Sequence, residues 1–101
     1  MPTFVLMTTL APEAMRDARG RRALGKDWIE RVHKVCPEVR FNAHYALLGP
    51  YDFMDIYDAP DTATAQRVSL ISRAEGAMHA ESWPAEPYES FLKILEEVEP
   101  D

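Results

Sequence analysis

The chain has 101 residues, 47% apolar and 28% charged, with a formal net charge of −6. That is one domain with a modest core, which makes self-association a natural supplement. The acid excess excludes the clustered positive field of a nucleic-acid surface. The single cysteine excludes a disulfide scaffold.

No stretch approaches the roughly 20 apolar residues of a membrane span, so no membrane partner is expected. The opening "MPTFVLMTTL" lacks the positive start and small-residue cleavage site of a secretory signal. A cytoplasmic location is the expectation that follows.

Residues 3 to 10 are rich in β-branched and aromatic side chains and read as a buried strand. Pro12 then sits where a helix start tolerates a missing N–H. Gly20 and Gly25 weaken that helix. The expectation is a break near Gly20 to Gly25 and a main helix to about Cys36. Leu24, Trp28, Val32 and Val35 form its apolar stripe, and Pro37 stops it. The basic run from Arg16 to Lys26 reads as a solvated helical face or loop, with an anion-binding patch as the alternative. Cys36 reads as a buried thiol.

Residues 39 to 48 alternate. Val39, Phe41, Ala43, Tyr45 and Leu47 share one face, and Arg40, Asn42, His44, Ala46 and Leu48 the other. Gly49-Pro50 breaks the run. "DFMDIYDA" is the next strand, with Met54 and Ile56 against Phe53, Asp55 and Tyr57. Asp61 is a good N-cap for a second helix whose stripe is Ala65, Val68, Ile71 and Ser72, and Gly76 stops it. Residues 77 to 83 alternate again, with Met78, Ala80 and Ser82 against His79, Glu81 and Trp83. Pro84 and Pro87 bracket a loop before a final amphipathic helix built on Tyr88, Phe91, Leu92 and Leu95.

This order predicts an α+β fold, a ferredoxin-like βαββαβ antiparallel sheet with an extra C-terminal helix. Both main helices lie on one face of such a sheet. A turn centred on Gly49-Pro50 pairs residues whose numbers sum to 99. His44 then faces Asp55, Asn42 faces Tyr57, and Tyr45 faces Met54. If Val39, Phe41, Met54 and Ile56 face the core, the uncovered face collects Arg40, Asn42, His44, Asp55 and Tyr57. The last strand adds His79, Glu81 and Trp83. The facing of the first strand stays open.

Three readings of that face follow. It is a dimer interface without chemistry, a pocket enclosed by two stacked sheets, or a plain solvated surface. In the pocket reading His44 and Asp55 are the candidate catalytic pair, with His44 as general base. Arg40, Asn42, Tyr51, Asp52, Tyr57, His79 and Trp83 are the candidate binding residues. His44, Asp55, His79 and Glu81 are suitable metal-ligand types. They show no ligand spacing, so neither metal nor cofactor is expected.

The hairpin "YALLGPYDFMDIYDAPD" resembles the GYD-domain family, with its motif at Gly49, Tyr51 and Asp52 and Pro50 inserted. The opening strand, the "APD" before the second helix and Trp83-Pro84-Ala85 are also similar to it. The resemblance implies a ferredoxin-like fold of the dimeric α/β-barrel type, in which two sheets pack face to face. It implies no established activity. Gly49 would allow the turn and Asp52 would satisfy turn backbone, or Tyr51 and Asp52 would stand at a pocket mouth.

The leading functional expectation is a homodimer or higher homo-oligomer that binds a small molecule or a partner through its open sheet. The rival is a cofactor-free isomerase or monooxygenase using His44 and Asp55. A third reading makes Pro2, freed by loss of Met1, the base of a tautomerase.

Overall fold

The computed structural model describes residues 1–15 and 17–100. Strand β1 (Thr3–Leu10) leads through a short 3₁₀ turn (Pro12–Met15) into α1 (Ala18–Val35). Strands β2 (Arg40–Ala46) and β3 (Phe53–Asp58) form the hairpin, followed by α2 (Thr62–Ala74), β4 (Ala77–Ala85) and α3 (Tyr88–Val98). The sheet order is β2-β3-β1-β4 and every pairing is antiparallel. This is the ferredoxin-like α+β architecture that the element order predicts.

Two local expectations are corrected. Helix α1 does not break near Gly20 to Gly25 but runs unbroken from Ala18. Asp17 caps it, its Oδ1 accepting the Gly20 N–H at 2.6 Å. The two glycines cost about 1 kcal/mol each relative to alanine, and packing of the half-buried Trp28 and buried Val32 and Cys36 against the core offsets that. Strand β4 also does not end before Pro84. It continues through Pro84 to Ala85. An edge strand has N–H groups with no ladder partner, so proline is tolerated there.

Helix α2 begins as expected. Asp61 Oδ1 accepts from the Thr64 N–H at 2.8 Å and from the Thr64 hydroxyl at 2.7 Å. Gly76 follows it with φ 116°, a backbone state that favours glycine.

The core lies between the helices and one sheet face. It joins Phe4, Leu6 and Tyr57 from the sheet to Val32, Val68 and Ile71 from the helices. Tyr57 is fully buried there, with its ring 5.6 Å from Phe4. Its placement on the uncovered face is therefore overturned, and the cause lies in β2. The ladder pairs Phe41 with Tyr57 and Ala43 with Ile56, which leaves Asn42 as an extra, bulged residue. A bulge shifts alternation by one. Phe41 faces the helices before it, and His44 faces them after it.

The same inversion applies to all of β3. Asp55 pairs with buried Leu6 and Tyr57 with buried Phe4, so Asp55 and Tyr57 point toward the helices. Met54 and Ile56 point to the open side instead. Parity fixes which residues share a face, but not which face the helices cover. Strand β1 decides that, because Phe4 and Leu6 belong to the core cluster packed with Val32, Val68 and Ile71 of the helices.

Candidate functional site

Two surfaces carry the sequence-identified residues, one on each side of the sheet. The first is a cleft between α1, the sheet and the end of α2. His44 Nδ1 hydrogen-bonds Asp55 Oδ1 at its floor. Asp55 is 3% exposed, whereas His44 reaches the rim. Burial pushes the Asp55 carboxyl above its ordinary range, opposed by the neighbouring His44 and Arg21. The His44 ring stacks on Phe53 at 5.4 Å, and the Arg21 guanidinium lies 4.9 Å from the centre of the Phe53 ring. Such cation–π contacts hold an arginine over apolar surface.

Behind this rim Trp28 Nε1 donates to Ser72 Oγ at 2.8 Å, which ties α1 to α2. The space in the cleft is about 30 Å³, room for a water molecule or two. The chemistry available is a histidine held by a buried carboxylate, one arginine and the Thr8 side chain at the wall.

Arg21 escaped the sequence reading because the basic run around it looked solvated. Its signal was positional. Arg21, Leu24 and Trp28 recur at helical spacing and line the same cleft.

The second surface is the open sheet face. Its centre is apolar, with Met7 buried and Val5, Met54 and Ile56 half-buried. Tyr45 is 55% and Trp83 43% exposed beside them. The Tyr51 hydroxyl donates to Glu81 Oε2 at 2.9 Å, and its ring meets Trp83 edge-on at 5.9 Å. Trp83 Nε1 reaches Glu81 Oε1 at 3.4 Å. The bond to Glu81 raises the Tyr51 phenol above its ordinary value.

At one end of this face Asp58 accepts from Thr3 Oγ1 at 2.8 Å and Asn42 Nδ2 at 3.1 Å. Those bonds hold its carboxyl below the usual range. Arg40 pairs with Asp58 in the ladder, and His79 pairs with Thr9 at the other end.

The structure therefore divides the candidate set. His44, Asp55 and Tyr57 belong to the helix side, and Arg40, Asn42, Tyr51, His79 and Trp83 to the open side. Tyr57 donates its hydroxyl to Ser82 at 2.7 Å inside the core, and burial pushes its phenol up to about 12. The four metal-ligand types fall on opposite faces, His44 and Asp55 on one and His79 and Glu81 on the other. Among the described residues no three His, Cys, Asp or Glu come together to hold an ion.

Asp52 is a tie. Its Oδ2 accepts the Leu10 N–H at 2.8 Å, its own N–H donates to Thr8 O at 2.8 Å, and its carbonyl accepts from Leu47 at 2.8 Å. Gly49 has no positive φ, and an added Cβ would meet nothing within 4 Å. The turn does not depend on glycine there. Cys36 is buried and its thiol is pushed up by that burial. Pro2 is exposed and lines neither the cleft nor the groove beside α2. No described helix is long and apolar enough to cross a membrane.

Comparison with known proteins agrees with the hairpin resemblance. A family model described as "GYD domain" matches residues 4–95. A Thermus thermophilus protein named "Glutamine synthetase and cystathionine beta-lyase binding protein" is 34% identical over 101 residues. The match covers 94% of this chain and 99% of that protein. The crystal structure of FFRP-DM1 superposes with a TM-score of 0.56 at 15% identity. That match covers 85% of this chain and 100% of the other, and it bears on the fold alone.

Proposed function

The chain belongs to the GYD-domain family, and from that premise we propose that it is a cytoplasmic protein that works by binding other proteins. Two copies pair through their open sheet faces, and the pair binds a metabolic enzyme. The observation that carries this reading is the open face itself. Val5, Met7, Met54 and Ile56 form a continuous apolar centre flanked by the exposed rings of Tyr45 and Trp83. A patch of that kind, rimmed by Glu81, Asp58 and Arg40, is the composition of a protein interface.

The named relative supports metabolic enzymes as the partner class, since its name records binding to glutamine synthetase and cystathionine β-lyase. The test is direct binding of the purified chain to those two purified enzymes on an optical biosensor. Saturable binding to either supports the reading. Its absence with both would remove the enzyme-binding half.

A second reading rests on a separate observation. A buried carboxylate beside a histidine at a cleft mouth is an arrangement found at catalytic and ligand sites. In that reading His44 is the base, Asp55 orients it, and Arg21 meets an anionic group of a small ligand. The cleft as it stands has room for water alone, so its walls must open for anything larger to enter. Loss of ligand-dependent stabilisation in a folded His44→Ala variant would support this reading. Unchanged stabilisation would remove His44 from it.

A further inference from the structure

Helix α3 is amphipathic, yet it packs against little of its own chain. Tyr88, Phe91, Ile94, Leu95 and Val98 are all exposed. Its capping residue Pro87 is extended, at φ −54° and ψ 142°, and only Glu86 and Pro87 separate β4 from the helix. The molecule is accordingly long, 57 × 30 × 18 Å. An 11-residue helix standing alone is marginal in water. It needs a surface to cover its apolar stripe.

A fitting surface exists on the side of α2 that faces β4. A groove of about 520 Å³ runs there, with Leu70, Pro84 and Arg73 on its walls beside the polar Thr62, Gln66 and Ser69. Leu70 is 59% exposed in it. The groove's one charged residue is Arg73, which makes no ion pair among the described residues. Helix α2 itself contains no acidic residue. The polar side of α3 carries Glu89, Glu96 and Glu97 against a single Lys93. Tyr88, Phe91, Leu92 and Leu95 have the i, i+3, i+4, i+7 spacing by which a helix seats in an apolar groove. Leu70 and Pro84 give the groove its apolar surface, and Arg73 carries the charge opposite in sign to the glutamates of α3.

We propose that α3 is an exchanged arm, seated in the α2–β4 groove of a second copy of this chain. The short link from β4 and the extended Pro87 carry α3 away from its own groove, so a neighbouring copy supplies the seat. Exchange of an element between identical chains is a low-cost route to assembly. This inference uses surfaces distinct from the open sheet face and stands independently of the sheet pairing.

The test is disulfide trapping between separately labelled chains. One chain carries Leu70→Cys, and the other carries Phe91→Cys, Leu95→Cys or Val98→Cys. Cys36 is buried and stays silent. Mixing under mild oxidation is expected to give a mixed disulfide joining the two labels in at least one combination. A bond only within one chain, in the Leu70→Cys plus α3 cysteine double variants, would overturn the proposal. So would no bond in any combination.

A charge test gives a second readout. Arg73→Glu is expected to weaken trapping roughly twofold to fivefold, the range for an exposed ion pair. Reversing Glu89 and Glu96, which flank the seated stripe, to Lys in the partner is expected to restore it. Arg73→Glu trapping that the reversal does not improve would count against this docking mode.

Discussion

His44 and Asp55 hydrogen-bond to each other across the β2–β3 ladder on the side of the sheet that the helices cover. The pair is thus an internal feature of one chain and not part of a cavity between two stacked sheets. Its chemistry is set by the burial of Asp55 and by the Arg21–Phe53–His44 stack above it.

The first expectation concerns pH. Burial raises the Asp55 pKa in the folded chain above its unfolded value of 3.8. A group shifted in that direction favours the fold while protonated, and that contribution is lost as pH rises through the folded pKa. Replacing Asp55 by Asn removes the ionisation. The stability of Asp55→Asn relative to wild type is therefore expected to be more favourable at pH 7 than at pH 4. Urea unfolding at the two pH values checks this. An equal difference at both would show that Asp55 ionises without penalty.

Tyr57 is a core residue whose hydroxyl joins a half-buried chain of bonds. Ser82 Oγ takes that bond at 2.7 Å and meets Ser69 Oγ at 2.7 Å. Tyr57→Phe leaves Ser82 with Ser69 as partner and keeps the ring stack. The expected loss is about 1 kcal/mol, that of one net hydrogen bond, with an unchanged denaturant slope. A loss above about 3 kcal/mol would mean that the hydroxyl has a larger role than this network gives it.

The hairpin motif separates into parts that behave differently. Asp52 makes three hydrogen bonds to backbone groups, two that pin the turn to Thr8 and Leu10 of β1 and one that closes the hairpin onto Leu47. Asp52→Ala leaves the Leu10 N–H without its acceptor and is expected to cost about 1 to 3 kcal/mol. Gly49→Ala fits an ordinary backbone with free space, so it is expected to be neutral or to stabilise by up to about 1 kcal/mol. Thermal unfolding of the two variants side by side decides this. A destabilised Gly49→Ala would show that the glycine is needed for the turn after all.

Much of the fold was legible because its signals are local. The β-branched and aromatic run of β1, the alternation of β2 to β4, the Asp61 cap and the Gly76 stop each act within a few residues. The pairing of His44 with Asp55 also followed, since the turn fixes the register on its own side of the bulge. The facing of the hairpin did not follow. Strand β3 offers a Met54–Ile56 face and a Phe53–Asp55–Tyr57 face, and both look like acceptable cores. Phe41 correctly read as core, but the bulge at Asn42 reverses the alternation that was extrapolated from it. Burial of Asp55 and Tyr57 is acceptable only because His44 and Ser82 satisfy them, and that is tertiary information. The unbroken α1 was missed for a similar reason, because its glycines are outweighed by packing that propensity does not register.

The central claim is that the open sheet face is a protein interface that pairs two copies. It is tested most directly by light scattering at micromolar concentration on wild type and on a Tyr45→Lys, Met54→Glu double variant. Tyr45 and Met54 face each other across the ladder, so opposite charges there keep the strands paired while removing the apolar surface. The account expects wild type at twice the 11.5 kDa chain mass or a higher multiple, with the folded double variant losing assembly at this face. A monomeric wild type, or a double variant as fully assembled as wild type, would contradict it.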